Sequence, residues 1–561
     1  MDEFTPFVPT IPNLLHWANE HYADQALIEK AGRRLTFSGL ERESMVLAKQ
    51  LVAQGVTKGT RVGILLPNDV EFPVVFMAAA RIGAIVLPMS TLYQPRELQW
   101  VIRHADIDTL FIADSYMNHN YIDRLETAIP EITKQDIAPL FIESVPYLRQ
   151  IIVVGDETPL WATNYSTILQ QRTPVAINDA FIHSMEAAVT PSDWAFMIYT
   201  SGSTADPKGV VHTHGNAMRH SCQMANVYGI PKTGERVAVS RPYFWIAGLS
   251  GSLFYALHAG FTLVIPDSAS AAAFYDLVIN DDIDFVCAGA AIFAAMNHLA
   301  KASGSGLTVT QLVTDYAGVC HMDNGRVSFT NERMESALAA KVAQENPDAM
   351  PSIYGMTETT SAYVSVPPPG RLTEDKAGFC GQPAAGAFVR IVDPVTREPL
   401  PPGQPGELLA GGYSLMAGLY KKERHETFVG ECLYPTGDMC AVDEDGWVKF
   451  VTRLGDMIKI SGANVAPLEV ELLLNREPGI GESAVVGVKE ESGIELVAAV
   501  IADGSVTLDQ PSILNRLKGE LSSFKVPKRI VIVDEETMPR TATGKIKKRD
   551  LPELLLLKNC C

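Results

Sequence analysis

The sequence predicts an α/β protein: a large amino-terminal body of α/β subdomains with parallel sheets, a β-rich subdomain, and a small carboxy-terminal α+β domain. Two textures predict this. Through roughly the first four hundred residues, short apolar runs alternate with longer amphipathic stretches, the pattern of strand, helix, strand units. Beyond about residue 380, Gly and Pro punctuate short alternating strands instead.

The first unit is plain in Arg61-Val62-Gly63-Ile64-Leu65-Leu66, which reads as a strand, followed by a helix over 74–83 and a strand over 84–87. Apolar runs at 109–113, 151–154, 194–199, 262–265 and 285–288 continue the series. The β-rich segment is marked by Gly378, Gly381, Gly386, Pro401-Pro402-Gly403, Gly406 and Gly411-Gly412. In the carboxy-terminal unit, 467–475 and 512–522 read as helices and 483–488, 496–501 and 529–533 as strands. No repeat, low-complexity tract or long linker interrupts the chain, so a short joint is expected between the body and the small domain.

Composition narrows the class. The 561 residues are 47% hydrophobic and 20% charged, which excludes disorder and a repeat fibre. A net charge of -19 opposes binding to nucleic acid or anionic membrane surfaces, so a polyanionic ligand must meet a local site. Eight cysteines without a CxxC pair fit a reducing cytoplasm. The acidic start Met1-Asp2-Glu3-Phe4 lacks a signal-peptide pattern, and Arg81 interrupts the apolar run 72–89, so no membrane span is expected.

The richest chemistry lies in Tyr199-Thr200-Ser201-Gly202-Ser203-Thr204-Ala205-Asp206-Pro207-Lys208-Gly209, where hydroxyls, glycines and a lysine follow an apolar strand. Glycine lets backbone N–H groups approach an anion, hydroxyls donate hydrogen bonds, and Lys208 supplies charge. An ordinary Ser/Gly surface loop has the same composition. The order GxxxxGK[ST] of the Walker loop is absent here and at Thr543-Gly544-Lys545.

The segment resembles the phosphate loop of the adenylate-forming superfamily of acyl-CoA synthetases, luciferases and peptide-synthetase adenylation domains. Further matches follow in that family's order: Tyr354-Gly355-Met356-Thr357-Glu358, Gly406-Glu407-Leu408, Tyr434-Pro435-Thr436-Gly437-Asp438, the stretch 453–471, and Pro539-Arg540-Thr541-Ala542-Thr543-Gly544-Lys545. The resemblance covers nearly the whole chain.

It implies a role for each position. Thr200, Ser201, Gly202, Ser203, Thr204 and Lys208 would wrap phosphates, with Tyr354 and Gly355 also on the nucleotide. Glu358 resembles the family's Mg²⁺-associated glutamate, beside Thr357 as an α-phosphate donor. Asp438 is suited to both ribose hydroxyls and Arg453 to the same sugar; a turn aspartate and a surface ion pair are the plainer alternatives. Lys545 would swing onto the carboxylate and α-phosphate, while its neighbours Lys547, Lys548 and Arg549 read as solvated. Gly455 matches the hinge position, which divides a body of residues 1–454 from a lid of 455–561. Lys459 and Gly462 match the loop facing the acyl-adenylate during thioester formation.

Three departures stand out. Ala205 replaces a usual glycine. In Arg241-Pro242-Tyr243-Phe244-Trp245-Ile246-Ala247-Gly248, Trp245 takes a position commonly histidine, which suggests an apolar wall for the acyl group; a core tryptophan is the alternative. Asp315-Tyr316-Ala317-Gly318 is less Gly- and Ser-rich than the family near adenine. Small residues Ala288, Gly289, Ala317 and Gly318, with apolar Phe244, Trp245 and Met356, then outline a pocket for a sizeable hydrophobic acid: fatty, aromatic or alicyclic.

The implied activity is an ATP-dependent carboxylic acid:CoA ligase working through acyl-AMP, with ATP, Mg²⁺ and coenzyme A. An enzyme that loads a separate carrier protein or stops at acyl-AMP is the alternative. A non-catalytic nucleotide-binding regulator is expected to lack Lys545 or Glu358, and both are present. The terminal Cys560-Cys561 pair reads as a plain tail.

Overall fold

The structure is a computed structural model. It describes all residues except 1–3, 118, 137, 201–206, 229–232, 269, 289, 304–318, 324–325, 328–353, 366–375, 377–378, 457, 461–462, 466, 491–492, 522–524, 541–545 and 558–561. The chain forms two compact units, Met1–Phe388 with Gly411–Tyr434, and Val389–Ala410 with Pro435–Cys561.

The first unit carries two large sheets. One runs Gly418–Leu419, Lys208–Thr213, Trp194–Thr200, Ile85–Pro88, Arg61–Leu65, Thr109–Ala113, Gln150–Val154, Thr163–Asn164. From Trp194–Thr200 outward to Thr163–Asn164 every pairing is parallel. Its central strands are continuous apolar runs because helices cover both faces: all of Thr109–Ala113 and Ile85–Pro88 is buried. The other sheet has a parallel centre of Phe285–Cys287, Arg236–Val239, Thr262–Val264 and Ala26–Lys30, with antiparallel edges.

The expected strands all form, at close to their expected limits. The helix expected over 74–83 begins earlier, at Glu71, because Pro73 sits in its first turn, where a missing N–H costs nothing. Everything in Glu71–Arg81 beyond Glu71 is buried, including the Arg81 side chain. The amino-terminal helices Ile11–Tyr22 and Phe37–Ala53 start where Thr10 and Thr36 accept from the backbone N–H of Asn13 and Gly39.

The second unit holds most of a four-stranded sheet in the order Ala387–Val392, Gly406–Gly412, Tyr434–Val442, Val448–Arg453, which is the expected β-rich segment. It also holds a three-stranded sheet in which Gly493–Ala502 pairs antiparallel with Ile480–Glu490 and parallel with Arg529–Ile532. Alternation sorts its side chains. Val485, Leu496, Ala498 and Val500 pack with Val470, Leu474, Ile513 and Leu517, whereas Val486, Val488, Val497 and Ala499 pack with Leu551 and Leu555. The helix expected over 512–522 is Gln510–Glu520, because Asp509 caps it by accepting from the Ser512 N–H. Among the described residues no helix is long and apolar enough to cross a membrane.

Candidate functional site

The base of the phosphate-loop segment is an antiparallel hairpin. Trp194–Thr200 pairs with Lys208–Thr213 so that Thr200 faces Lys208 across the ladder, which brings the two ends of the intervening loop together. Tyr199 anchors the outgoing strand: its hydroxyl lies 2.7 Å from His104 Nδ1, and its ring meets Trp100 edge-on. The Tyr420 N–H donates to Gly209 O at 2.8 Å and secures the return. Ser201, Gly202, Ser203 and Thr204 lie outside the described residues.

Glu358 sits on a 3₁₀ turn, Thr357–Thr359, that joins strand Tyr354–Met356 to Ser361–Ser365. The turn is pinned on several sides. Met416 N–H donates to Glu358 O at 2.8 Å, and the Tyr434 hydroxyl donates to Glu358 Oε1 at 3.2 Å. Thr360 and Ser361 adopt φ of +62° and +97°, a left-handed pair that non-glycine residues rarely occupy without tertiary restraint. The restraint is visible: Thr360 Oγ1 donates to Ser414 O at 2.6 Å and lies 3.2 Å from His212 Nδ1. His212 in turn meets Asn216 Nδ2 at 3.2 Å, and Asn216 donates to Leu415 O at 2.7 Å. Burial pushes the His212 pKa down to about 3, so the ring is neutral.

In the second unit Asp438 and Arg453 stand directly opposite in the ladder of Tyr434–Val442 and Val448–Arg453, with Arg453 Nε 2.9 Å from Asp438 Oδ1. The carboxylate is buried while the arginine side chain is largely exposed. The turn before Asp438 needs a glycine, since Gly437 has φ +71°. Gly437 N–H donates to Glu407 Oε1 at 3.2 Å, Glu407 pairs with Arg397, and Thr436 Oγ1 donates to Leu408 O at 2.8 Å. The Gly406-Glu407-Leu408 motif is therefore the clamp of the Asp438 turn.

Trp245 is half-buried, with its ring meeting that of buried Phe244 edge-on at 5.4 Å between centroids. Tyr243, two residues earlier, is fully buried beside Phe72. The segment is held by Asn68, which donates to Arg241 O and accepts from Tyr243 N–H, both at 2.8 Å. Gly248 is obligatory, since a Cβ there would stand 1.9 Å from Pro242 O.

A family model for the AMP-binding enzyme matches residues 14–420, and one for the AMP-binding enzyme C-terminal domain matches 469–545. The chain is an AMP-binding enzyme. It is 27% identical over 531 residues to the mitochondrial medium-chain acyl-CoA ligase ACSF2 of Rattus norvegicus, covering 93% of this chain and 83% of that protein. It is also 27% identical over 542 residues to 3-hydroxybenzoate–CoA ligase of Aromatoleum sp. (strain CIB), covering 95% and 94%. In fold it resembles ATP-bound MatB from Rhodopseudomonas palustris, with a TM-score of 0.74, 23% identity and coverage of 97% of this chain and 98% of that one.

Within this AMP-binding enzyme, Tyr354, Gly355, Met356, Thr357 and Glu358 are brought onto one strand and turn, and Asp438 onto Arg453. Ala288 packs with Ala238, Val264, Phe274, Val286 and Met296 in the layer between sheet and helices. Lys459 lies on strand Ile458–Ile460. Lys545, Gly462, Gly289, Ala317 and Gly318 lie outside the described residues. Sequence reasoning missed His212, Asn216 and Glu407 as supports. A polar pair at i and i+4 just after the phosphate loop, and the acid of an isolated GEL triplet, were the available signals.

Proposed function

We propose that this AMP-binding enzyme is an ATP-dependent carboxylic acid:CoA ligase that makes acyl-CoA through acyl-AMP, acting on a sizeable hydrophobic acid. The carrying observation is that both family modules occur in order on one chain, with Glu358 and the Asp438–Arg453 pair held in place by buried supports. In the first step a carboxylate oxygen attacks the α-phosphorus of ATP and pyrophosphate leaves. In the second, the CoA thiol attacks the acyl carbon and AMP leaves.

The chain contributes position and charge rather than a covalent nucleophile. Thr200 and Lys208 stand at the two ends of the loop that would receive the phosphates. Buried Asp438, whose backbone N–H donates to Thr436 Oγ1 and whose carboxylate faces Arg453, suits a pair of ribose hydroxyls. Glu358 offers a hard carboxylate oxygen on a restrained turn and would hold Mg²⁺, which when bound neutralises phosphate charge. Lys545 is the proposed charge partner of the adenylation step, Lys459 and Gly462 belong to thioester formation, and residues 455–561 act as the lid. Half-buried Trp245 against buried Phe244 supports an apolar acid, as do relatives named for a medium-chain and an aromatic acid. Eight cysteines without a CxxC pair support a reducing compartment such as the cytoplasm.

The test is pyrophosphate and AMP release over a panel of fatty, aromatic and alicyclic acids, with and without CoA. CoA-dependent turnover with acyl-CoA as product is expected; one equivalent of acyl-AMP unaffected by CoA would favour carrier loading instead. Lys545→Ala should lose acyl-AMP formation yet convert supplied acyl-AMP and CoA to thioester. Equal loss of both steps in a folded protein would refute the role of Lys545.

A further inference from the structure

Away from that chemistry, two amino-terminal helices bring a metal-ligating set together. His16 projects from Ile11–Tyr22, and His183 and Glu186 from Asp179–Ala187. His16 Nε2 and His183 Nδ1 lie 2.9 and 2.8 Å from the same atom, Glu186 Oε2, and all three ligand atoms fall within 4.8 Å of one another. We propose that His16, His183 and Glu186 form a binding site for a divalent transition metal, Zn²⁺ foremost, that staples the first helix to the helix preceding the phosphate-loop strand.

The donor set is the reason for the metal class. Two imidazoles and one carboxylate suit zinc, and bonds of about 2.0–2.1 Å in a tetrahedron require ligand atoms roughly 3.3 Å apart, so the present spacings need only a small opening. His16 and His183 are accessible, which leaves a face for water and a path for the ion. The carboxylate is prepared from behind. Fully buried Arg81 binds Glu186 Oε1 and Glu41 Oε1, and also donates to Glu41 O and Ser44 Oγ, so it fixes Glu186 with Oε2 turned to the histidines. Glu41 Oε1 lies 3.6 Å from His16 Nδ1, the outer carboxylate partner that orients a metal-bound imidazole. Two carboxylates against one guanidinium leave a net charge of -1 beside the two imidazoles, which a cation relieves. Binding takes the place of the N–H donors that now face Oε2: a neutral ring carries its proton on its other nitrogen once the metal is bound, and a protonated ring gives one proton to solvent.

The staple has a direct route to the loop. From Glu186 the chain passes through the Thr190–Asp193 turn, tied by Asp193 to Lys58, straight into Trp194–Thr200.

The experiment is isothermal titration of chelator-treated full-length Cys432→Ser protein with ZnCl₂, the substitution removing an exposed competing thiol, paired with Co²⁺ absorption and Tm. One equivalent per chain, a visible Co²⁺ band and a Tm that climbs with the logarithm of free zinc are expected. His183→Ala, at an exposed position, should weaken binding at least tenfold, and His16→Ala/His183→Ala should abolish all three signals while circular dichroism stays native. Absence of stoichiometric binding, or binding unchanged in the double variant, would overturn the site. A Tm altered by the variants but indifferent to zinc would do so as well, leaving only a charged packing network.

Discussion

His212 Nδ1 and Thr360 Oγ1, 148 positions apart in sequence, lie 3.2 Å from each other in a fully buried contact. This contact joins the strand that leaves the phosphate loop to the left-handed residue that ends the Glu358 turn. The two halves of the proposed nucleotide site are thus set against one another by a neutral imidazole.

Replacing His212 with leucine keeps bulk and leaves Thr360 and Asn216 without that partner. Each keeps its other partner, Ser414 O and Leu415 O, so each lost contact costs about 0.5–1.5 kcal/mol. Urea unfolding should show a loss of that size, and acyl-AMP formation should fall roughly tenfold, since tenfold corresponds to about 1.4 kcal/mol. Unchanged adenylation with reduced stability would mean the turn holds without His212.

Glu407→Gln should act on the backbone beside Asp438. Buried Glu407 accepts from Gly437 N–H and pairs with Arg397, so neutralising it weakens two charge-assisted bonds. The turn before Asp438 should loosen, raising KM for ATP by about tenfold, equivalent to about 1.4 kcal/mol, with KM for the acid nearly unchanged. A matched rise in both constants would point to global damage.

Acid should destabilise the first unit through its buried histidines. Burial holds His212, His214 and His258 down to about 3 and His220 to about 4. These rings stay neutral when folded but gain protons near pH ~6.5 when unfolded, so stability falls as pH drops below about 6.5. His16, whose proton Glu186 holds more tightly, works in the opposite direction. His220→Leu should therefore flatten the dependence by up to about 1.4 kcal/mol per pH unit between about pH 6.5 and 4. An identical slope in that variant, read from urea midpoints, would show that His220 already titrates in the folded protein.

Gly455 lies on the turn Leu454–Asp456, outside the left-handed region, where a Cβ would meet nothing. Gly455→Ala should be nearly silent in stability. Gly455→Pro fixes φ near about -65° and removes a donor, so one half-reaction, expected to be adenylation, should survive while thioester formation from supplied acyl-AMP falls steeply. Equal, modest loss in both would place the swivel elsewhere and withdraw the boundary at 455.

Strands such as Arg61–Leu65 and Thr109–Ala113 were legible because burial on both faces demands an unbroken apolar run, and the motif order alone declared the family. What the sequence supplied by itself was which residue types are proposed to meet phosphate, ribose and acid. Tertiary structure decided what holds them. Asp438 reaches Arg453 through ladder register, Thr360 reaches His212 across 148 positions, and Glu407 closes the Gly437 turn from another strand. Local pattern reports burial and turn chemistry, whereas pairing register and long-range hydrogen bonds arise only when distant segments pack, so these supports leave no periodic trace along the chain.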